Sequence, residues 1–226
     1  MERGERPLSP EPPRTDRQGV LDRFRGLLAS GSTHRVLLGV TGSPGAGKST
    51  FVAELAAEAE LLEPGSAVVV GMDAWHLAND VLVARGSVAR KGAPDTFDSL
   101  GYLVALRRLR AQQSSDPTVW LPEFRREIED SVGQAVEVHG GHCLILTEGN
   151  YLLLDAPFWT DVREELDECW YLDLDEETRL ARLAARHAAY GREPVEADQR
   201  ARKVDQANAD LVVPSAIRAD LIVTVT

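Results

Sequence analysis

Residues 36–49 are Val36-Leu37-Leu38-Gly39-Val40-Thr41-Gly42-Ser43-Pro44-Gly45-Ala46-Gly47-Lys48-Ser49. The apolar first half predicts a buried strand, and the second half fits the pattern G-x-x-x-x-G-K-[ST]. A helix is expected directly afterwards, because Phe51 and Leu55 recur among alanines up to about Gly65. Strand, glycine-rich loop and helix in this order predict a phosphate-binding loop rather than a chance glycine-rich turn.

This loop has the residue types that binding a nucleoside triphosphate requires. Glycines let the backbone bend so that successive N–H groups point at phosphate oxygens, and the helix N-terminus adds partial positive charge. Lys48 is expected to reach the β- and γ-phosphates, and the Ser49 hydroxyl to ligate Mg²⁺. The predicted cofactors are therefore ATP and Mg²⁺. The predicted nucleotide-binding residues of the loop are Gly42, Ser43, Gly45, Ala46, Gly47, Lys48, Ser49 and Thr50.

Composition narrows the class of protein. The chain has 226 residues, of which 43% are hydrophobic and 27% charged, a balance typical of one soluble globular domain. Its net charge of -11 argues against nucleic acid as a partner, since that binding relies on neutralising phosphates. Apolar runs stay well below the ~20 residues that span a membrane, and the N-terminus lacks the apolar core of a signal peptide. Cys143 and Cys169 lie in apolar runs typical of buried, reduced thiols, which predicts a cytoplasmic protein.

Strands alternate with helices along the whole chain. Apolar strand-like runs begin near Val36, Ala67, Cys143, Trp170 and Leu221. Such alternation predicts an α/β fold with a parallel sheet and helices on both faces. Two short strands are also expected, at 119–121 and 135–138. We assign residues 1–16 to a disordered tail, because Pro, Arg and Glu dominate there, and residues 17–226 to a single domain.

Acidic residues follow two of the predicted strands. Asp73 comes after Val68-Val69-Val70, and Glu148 comes after Leu144-Ile145-Leu146. In an open parallel sheet, ligands sit beyond the carboxyl ends of the strands. A carboxylate beside the phosphate-binding loop can organise Mg²⁺ or accept a proton from an attacking hydroxyl. The alternatives are a helix N-cap or a surface anion.

Several segments together resemble the group of P-loop kinases that contains uridine kinase, phosphoribulokinase and bacterial-type pantothenate kinase. The resemblance extends from Val36 to Val225. The overall residue pattern of the chain is most similar to that of an uncharacterised bacterial subgroup of uridine kinase-like, fructose-transport-associated kinases. The matching segments are 72–76 (M-D-A-W-H), 90–98 (R-K-G-A-P-D-T-F-D), 147–154 (T-E-G-N-Y-L-L-L), 179–192 with its arginines, and 214–222 (P-S-A-I-R-A-D-L-I).

This resemblance implies a P-loop NTPase fold with a small arginine-bearing helical lid. It makes Asp73 the catalytic base and places Glu148 at the Walker B position, where it helps Ser49 to organise Mg²⁺. Lys48, Arg182 and Arg186 are expected to stabilise the transferred phosphoryl group. The alternative for the two lid arginines is pairing with the acidic residues 175–177. The resemblance also adds Arg218 to the nucleotide-binding residues, and His76, Arg90, Lys91 and Arg126 as candidate substrate residues.

The chain also departs from the group. Where uridine kinase has a ribose-binding Asp this chain has Gly92, and Lys91 stands where a base-stacking aromatic would precede it. Arg125 replaces a small or acidic residue in the P-x-[YF]-[SD]-[HR] segment. The expected acceptor is therefore a small polyhydroxylated or carboxylate-bearing molecule rather than a pyrimidine nucleoside. Among the four tryptophans, only Trp75 is expected to line a pocket.

Two functions remain open on this evidence. The first is an ATP-dependent kinase acting on a hydroxyl of a small metabolite, such as a sugar, a pantothenate-like or a nucleoside-like acceptor. The second is a nucleotide-switched regulatory or chaperone NTPase with a protein partner. A GTPase of that second kind needs the guanine-reading string N-K-x-D, which does not occur in the chain. Members of the kinase group that this chain resembles often form dimers, and the sequence is compatible with a homodimer.

Overall fold

Six parallel strands form the central sheet of the computed structural model, which describes residues 11–31 and 34–225. The strand order is β1-β8-β7-β2-β6-β3, and a separate antiparallel hairpin pairs β4 with β5. The strands are β1 (Arg14–Thr15), β2 (Val36–Thr41), β3 (Ala67–Val69), β4 (Val119–Arg125), β5 (Asp130–Val138), β6 (Leu144–Glu148), β7 (Glu168–Asp173) and β8 (Leu221–Thr224).

Helices cover both faces of this sheet. They are α1 (Arg17–Ser30), α2 (Lys48–Leu62), α3 (Asn79–Ala84), α4 (Ser99–Ala111), α5 (Trp159–Glu164), α6 (Glu176–Ala189), α7 (Pro194–Arg200) and α8 (Gln206–Val212). A π-helical turn, Ala201–Asp205, joins α7 to α8. The predicted α/β fold with a parallel sheet between helices is confirmed. None of the helices in the described residues is both long enough and apolar enough to cross a membrane.

Burial on both faces explains the continuous apolar strands. All six residues of β2 are buried. Leu37 faces one core, together with Ile145, and its neighbour Leu38 faces the opposite core, together with Leu146. Because side chains alternate across a strand, a strand covered on both sides needs apolar residues at every position. This is the pattern that identified the strand beside the glycine-rich loop.

The predicted tail over residues 1–16 needs a correction at its C-terminal end. Arg14–Thr15 form β1 at the edge of the sheet, where Arg14 pairs with Ile222 and Thr15 with Val223 of β8. Asp16 then caps α1, since its side chain accepts a hydrogen bond from the Gly19 N–H. Composition alone missed this strand because it is only two residues long. Residues 1–10 lie outside the described residues.

The hairpin is longer than the two short strands expected from the sequence. Polar residues such as Glu123 and Ser131 continue the pairing to Arg125 and Asp130. An irregularity in register lies between Leu121 and Glu123, at the position of a proline that cannot donate a backbone hydrogen bond. The hairpin packs against the turn at Met72–Trp75 and so brings its tip close to the end of β3.

Candidate active site

The phosphate-binding loop leads from β2 into α2. Gly45 and Gly47 adopt φ values of 86° and 91°, in the left-handed region that favours glycine. A side chain at position 45 would also collide with Leu183, whose Cγ lies 2.7 Å from the place of a Cβ. The Pro44 carbonyl accepts a hydrogen bond from the buried Arg179 guanidinium at 3.3 Å. Helix α6 therefore packs against the loop through Arg179 and Leu183.

Lys48 is buried, and its ammonium group donates three hydrogen bonds within the protein. Its Nζ donates to the carbonyls of Gly42, at 2.9 Å, and Ser43, at 3.1 Å, and to Asn150 Oδ1, at 2.6 Å. Burial lowers the pKa of Lys48 to about 8, against the opposing effects of Glu148 and Asp73. The ammonium group is thus held at the floor of the loop by two backbone carbonyls and one side chain.

Two carboxylates and a hydroxyl gather at the ends of β3 and β6. The Ser49 hydroxyl donates to Glu148 Oε1 at 2.9 Å. Burial raises the pKa of Glu148, and the nearby carboxylate of Asp73 raises it further. Gly149 follows Glu148 at a point where any side chain would collide with Met72, so the backbone passes close behind Asp73. The sheet therefore brings together two strand-end carboxylates that are distant from each other along the chain.

Two arginines from different elements lie beside these carboxylates. Arg126, at the tip of the hairpin, places Nη2 3.7 Å from Asp73 Oδ2. Arg186 comes from α6, and among the described residues no carboxylate lies within ion-pair distance of its guanidinium. Burial lowers the pKa of Arg186, and the positive charge of Arg126 lowers it further. The negative charges of Asp205, Asp73 and Glu129 oppose this lowering, so the carboxylates of the site partly balance the two guanidinium groups.

These groups lie between two cavities. The P-loop cavity, about 370 Å³, is lined by the loop, Ser49, Glu148 and the lid residues Arg182 and Leu183. The hairpin cavity, about 310 Å³, is lined by the hairpin tip, the loop around Lys91 and the lid. Six residues line both cavities: Pro44, Asp73, Arg126, Asn150, Arg186 and Tyr190. Asp73 thus lies where the two spaces meet.

A third space continues from the other side of the loop. The strand-end cavity, about 460 Å³, is lined by Gly47, Thr50, Arg182 and residues 223–225 at the end of β8. It shares Gly47, Thr50 and Arg182 with the P-loop cavity. The three cavities therefore form one row along the carboxyl ends of the strands.

Aromatic and basic side chains form the wall of the hairpin cavity. The ring of His76 lies 4.0 Å from that of Phe97 and 5.1 Å from that of Phe124, between centroids, and His76 Nδ1 is 2.9 Å from the Asp73 carbonyl. Burial lowers the pKa of His76. Lys91 Nζ donates to Asn79 Oδ1 at 2.8 Å and to the Glu129 carbonyl. His76 and Lys91 thus lie where the sequence predicted substrate residues.

Three other predictions differ from what the structure shows. Arg90 forms an exposed, bidentate ion pair with Asp95, at 2.9 and 2.6 Å, and is left out of the candidate site. Arg218, predicted to bind the nucleotide, donates to the Leu153 carbonyl at 2.9 Å and is not among the residues that line the P-loop cavity. Trp75 is buried against Tyr102, with ring centroids 4.9 Å apart, and belongs to the core instead of lining a pocket.

Sequence reasoning missed three residues that complete the site. Asn150 binds Lys48, Arg179 supports the loop, and Tyr190 lines both the P-loop cavity and the hairpin cavity. Asn150 lies in the segment 147–154 that carries the family resemblance, and its position directly after Gly149 was the available signal. Arg179 lies in the predicted arginine-bearing lid, but its contact with the loop depends on the packing of α6 and could not be predicted.

Comparisons with known proteins agree with this geometry. The chain is 35% identical over 153 residues to the ATP-dependent kinase-like protein notR′ of Aspergillus versicolor, covering 65% of this chain and 89% of that protein. It is 32% identical over 196 residues to a provisionally named uridine kinase of Schizosaccharomyces pombe, and this match covers 83% of this chain and 82% of that protein. A crystal structure from Silicibacter sp. TM1040, provisionally described as a fructose transport system kinase, is 36% identical, covers 91% of this chain and 95% of that one, and has a TM-score of 0.78. No protein-family model matches the chain.

The chain belongs to the ATP-dependent P-loop kinases of the uridine kinase-like group. The resemblance found in the sequence, including that to the fructose-transport-associated subgroup, is thereby confirmed. The phosphate-binding loop, the sheet and the arginine-bearing helices are the parts of this fold that shape the site.

Proposed function

We propose that the protein transfers the γ-phosphoryl group of ATP to a hydroxyl of a small metabolite. One observation carries this proposal: Asp73 lies at the junction of two cavities, one built around the phosphate-binding loop and one separate from it. A kinase needs such a junction, because the attacking hydroxyl and the γ-phosphate must meet beside a proton acceptor. A nucleotide-switched NTPase with a protein partner has no need of a second cavity next to that carboxylate.

The row of cavities suggests how ATP lies in the site. Its phosphates would occupy the P-loop cavity, with Lys48 and the loop N–H groups around them. The base and ribose would extend into the strand-end cavity, between Arg182 and residues 223–225. The continuity of the two spaces at Gly47 and Thr50 supports this direction.

The oxygen ligands at the edge of the loop fit Mg²⁺. The Ser49 hydroxyl and Glu148 carboxylate are already in contact, and Asp73 lies close enough to disturb the ionisation of Glu148. Mg²⁺ is usually held in kinases by one or two carboxylates together with substrate phosphates and water. When bound, it would neutralise charge on the phosphates. Ser49 and Glu148 are the proposed ligands, directly or through water.

The protein's own residues would then perform three tasks. Asp73 accepts the proton of the attacking hydroxyl. Lys48 holds the β- and γ-phosphates in line with that hydroxyl. Arg186, together with Arg182 on the same helix, stabilises charge on the transferred phosphoryl group, which suits two guanidinium groups one turn apart. Positioning and electrostatics supply most of the rate enhancement in such a reaction.

The charge of the hairpin cavity favours an anionic acceptor. Five cationic side chains line it against three carboxylates, although the whole chain has a net charge of -11. The cations are Lys91, Arg126, Arg186, Arg192 and Arg200, and the carboxylates are Asp73, Glu129 and Asp205. Arg186 would serve the phosphoryl group, which leaves Arg192 and Arg200 at the lid side for the acceptor. We therefore propose a small polyhydroxylated acceptor with a carboxylate or phosphate group, rather than a pyrimidine nucleoside.

A screen of ADP release over matched acceptors tests this function. Each pair consists of a neutral compound and a close analogue with one anionic group: glycerol with glycerate, ribose with ribose 5-phosphate, and pantothenol with pantothenate, with uridine and cytidine for comparison. We expect turnover with at least one anionic member and a KM well below that of its neutral counterpart. Efficient, selective phosphorylation of uridine or cytidine would contradict the proposed acceptor class.

A pair of arginine variants localises the charge preference. Arg200→Gln should remove most of the preference for the anionic member, because Arg200 lines the hairpin cavity and its Nη2 already contacts the Lys91 carbonyl at 3.2 Å. Arg202→Gln is the matched control, since Arg202 forms an exposed ion pair with Asp198. Equal effects of the two changes would place the anion elsewhere.

Two further properties complete the proposal. We propose a cytoplasmic protein because Cys143 and Cys169 are both free thiols. We also propose a homodimer, because members of this group of kinases often form dimers.

A further inference from the structure

Asn150 connects the phosphate-binding loop to the acceptor side of the site. Its Oδ1 accepts the shortest of the three hydrogen bonds from Lys48, at 2.6 Å. An ammonium group has three N–H donors, so the three contacts use all of them. Any phosphate oxygen that binds Lys48 must therefore replace one of these acceptors.

Of the three acceptors, Asn150 is the one that can leave most readily. The other two are backbone carbonyls of Gly42 and Ser43, whose positions are fixed by the loop. The backbone around Asn150 is also fixed, because its carbonyl accepts from Thr41 Oγ1 at 3.1 Å and Gly149 N–H donates to the Val40 carbonyl at 3.1 Å. Rotation of the Asn150 side chain releases Lys48 without moving either segment of backbone.

The released side chain would lie next to Asp73. Asn150 lines both the P-loop cavity and the hairpin cavity, as Asp73 does. A carboxamide offers two donors and an acceptor, which suits a substrate hydroxyl. Among the described residues, Lys48 is the one hydrogen-bond partner of this side chain, so the reorientation breaks a single hydrogen bond.

We propose that Asn150 is a latch on Lys48 that the nucleotide phosphates displace. Asn150 holds Lys48 until the β- and γ-phosphates take its place, and the freed carboxamide then hydrogen-bonds the acceptor hydroxyl beside Asp73. ATP therefore binds before the acceptor. The acceptor half of this inference rests on the proposed kinase function, whereas the competition for Lys48 does not.

Nucleotide affinities of Asn150→Ala test the competition without any acceptor. Loss of a hydrogen bond that competes with phosphate should tighten binding of ATP and ADP by about 3- to 10-fold, the net size expected for one ordinary hydrogen bond. AMP has no β-phosphate to reach Lys48, so its affinity should not change. Isothermal titration calorimetry measures all three constants.

Asn79→Ala is a matched control, because its carboxamide also accepts from a lysine, Lys91, but away from the loop. This change should leave ATP affinity unaltered. ATP binding by Asn150→Ala that is unchanged or weaker, or a gain shared equally by AMP, would overturn the latch. If the alanine variant does not fold, Asn150→Ser gives the same test, since its shorter side chain does not reach Lys48.

The acceptor half has its own readout. In Asn150→Ala, kcat should fall by about 10-fold or more while ATP binds more tightly, since the lost carboxamide no longer orients the hydroxyl. A residue that only supports the fold would change both constants in the unfavourable direction. Tighter ATP binding with no acceptor turnover in the wild-type protein would sustain the competition for Lys48 and refute the acceptor contact together with the kinase proposal.

Discussion

The guanidinium of Arg126 lies 3.7 Å from the carboxylate of Asp73, across the junction of the two cavities. The two residues come from separate parts of the structure, the tip of the β4–β5 hairpin and the turn after β3. The hairpin thus delivers a cation to the proposed catalytic base from the acceptor side. The position of the hairpin and the ionic surroundings of Asp73 are directly linked.

Replacing Arg126 tests this link, and its neighbour provides the control. Arg126→Ala should lower kcat/KM for the acceptor by about 10-fold or more, as expected when a charged contact in an enclosed site is lost. Arg125→Ala should change it little, because Arg125 forms an exposed ion pair with Glu123 on the same hairpin. Steady-state kinetics at saturating ATP measures both variants, and equal losses would assign the effect to the hairpin fold.

Asp73→Asn separates proton transfer from nucleotide binding. Turnover should fall by on the order of 10²–10⁴, the usual contribution of a general base, since the amide cannot accept the proton. ATP affinity should stay within about threefold, because Lys48 and the loop amides hold the phosphates. A loss of ATP affinity as large as the loss of turnover would instead give Asp73 a role in Mg²⁺ binding or in folding.

The low pKa of Lys48 predicts a proton exchange on ATP binding. Burial lowers this pKa to about 8, and phosphate beside the ammonium group favours its charged form and raises the pKa again. At pH 8 the wild-type protein should therefore take up about half a proton on binding ATP, and ATP affinity should fall as the pH rises further. Calorimetry in buffers of different ionisation enthalpy measures the uptake.

Lys48→Arg is the control for this exchange, because the guanidinium keeps its charge at every accessible pH. The uptake should be absent in this variant. The same uptake in both proteins would assign the titrating group elsewhere in the site.

Arg179 should matter for stability as well as for binding. It is buried, and it joins the phosphate-binding loop at Pro44 to Gln206 of α8. Arg179→Ala should lower the free energy of unfolding by about 2–4 kcal/mol, since it leaves a cavity and unsatisfied polar groups. Urea unfolding with and without ATP measures this, and a change below about 0.5 kcal/mol would show that the contacts carry no energy.

The sequence predicted the elements whose signals are local. The strand before the loop is apolar at every position because both of its faces are covered, and the loop pattern follows it directly. Asp73 and Glu148 could be placed together from the rule that parallel strands end at one edge. Helix α3 has no comparable signal, because it is only six residues long.

What could not be predicted depends on contacts between distant segments. Arg90 and Lys91 are neighbours in the chain, yet Arg90 pairs with Asp95 on the surface while Lys91 lines the hairpin cavity. Nothing in a charged loop distinguishes these two orientations. Asn150 likewise gains its importance only from the 2.6 Å contact with Lys48, more than 100 residues earlier.

The most direct test of the proposed function is ³¹P NMR of ATP incubated with the protein and the anionic acceptors named above. The account predicts a new phosphomonoester signal that grows in step with ADP, and its near absence with Asp73→Asn. Release of inorganic phosphate at the same rate with and without acceptors, and no phosphomonoester, would contradict it and favour a nucleotide-switched NTPase.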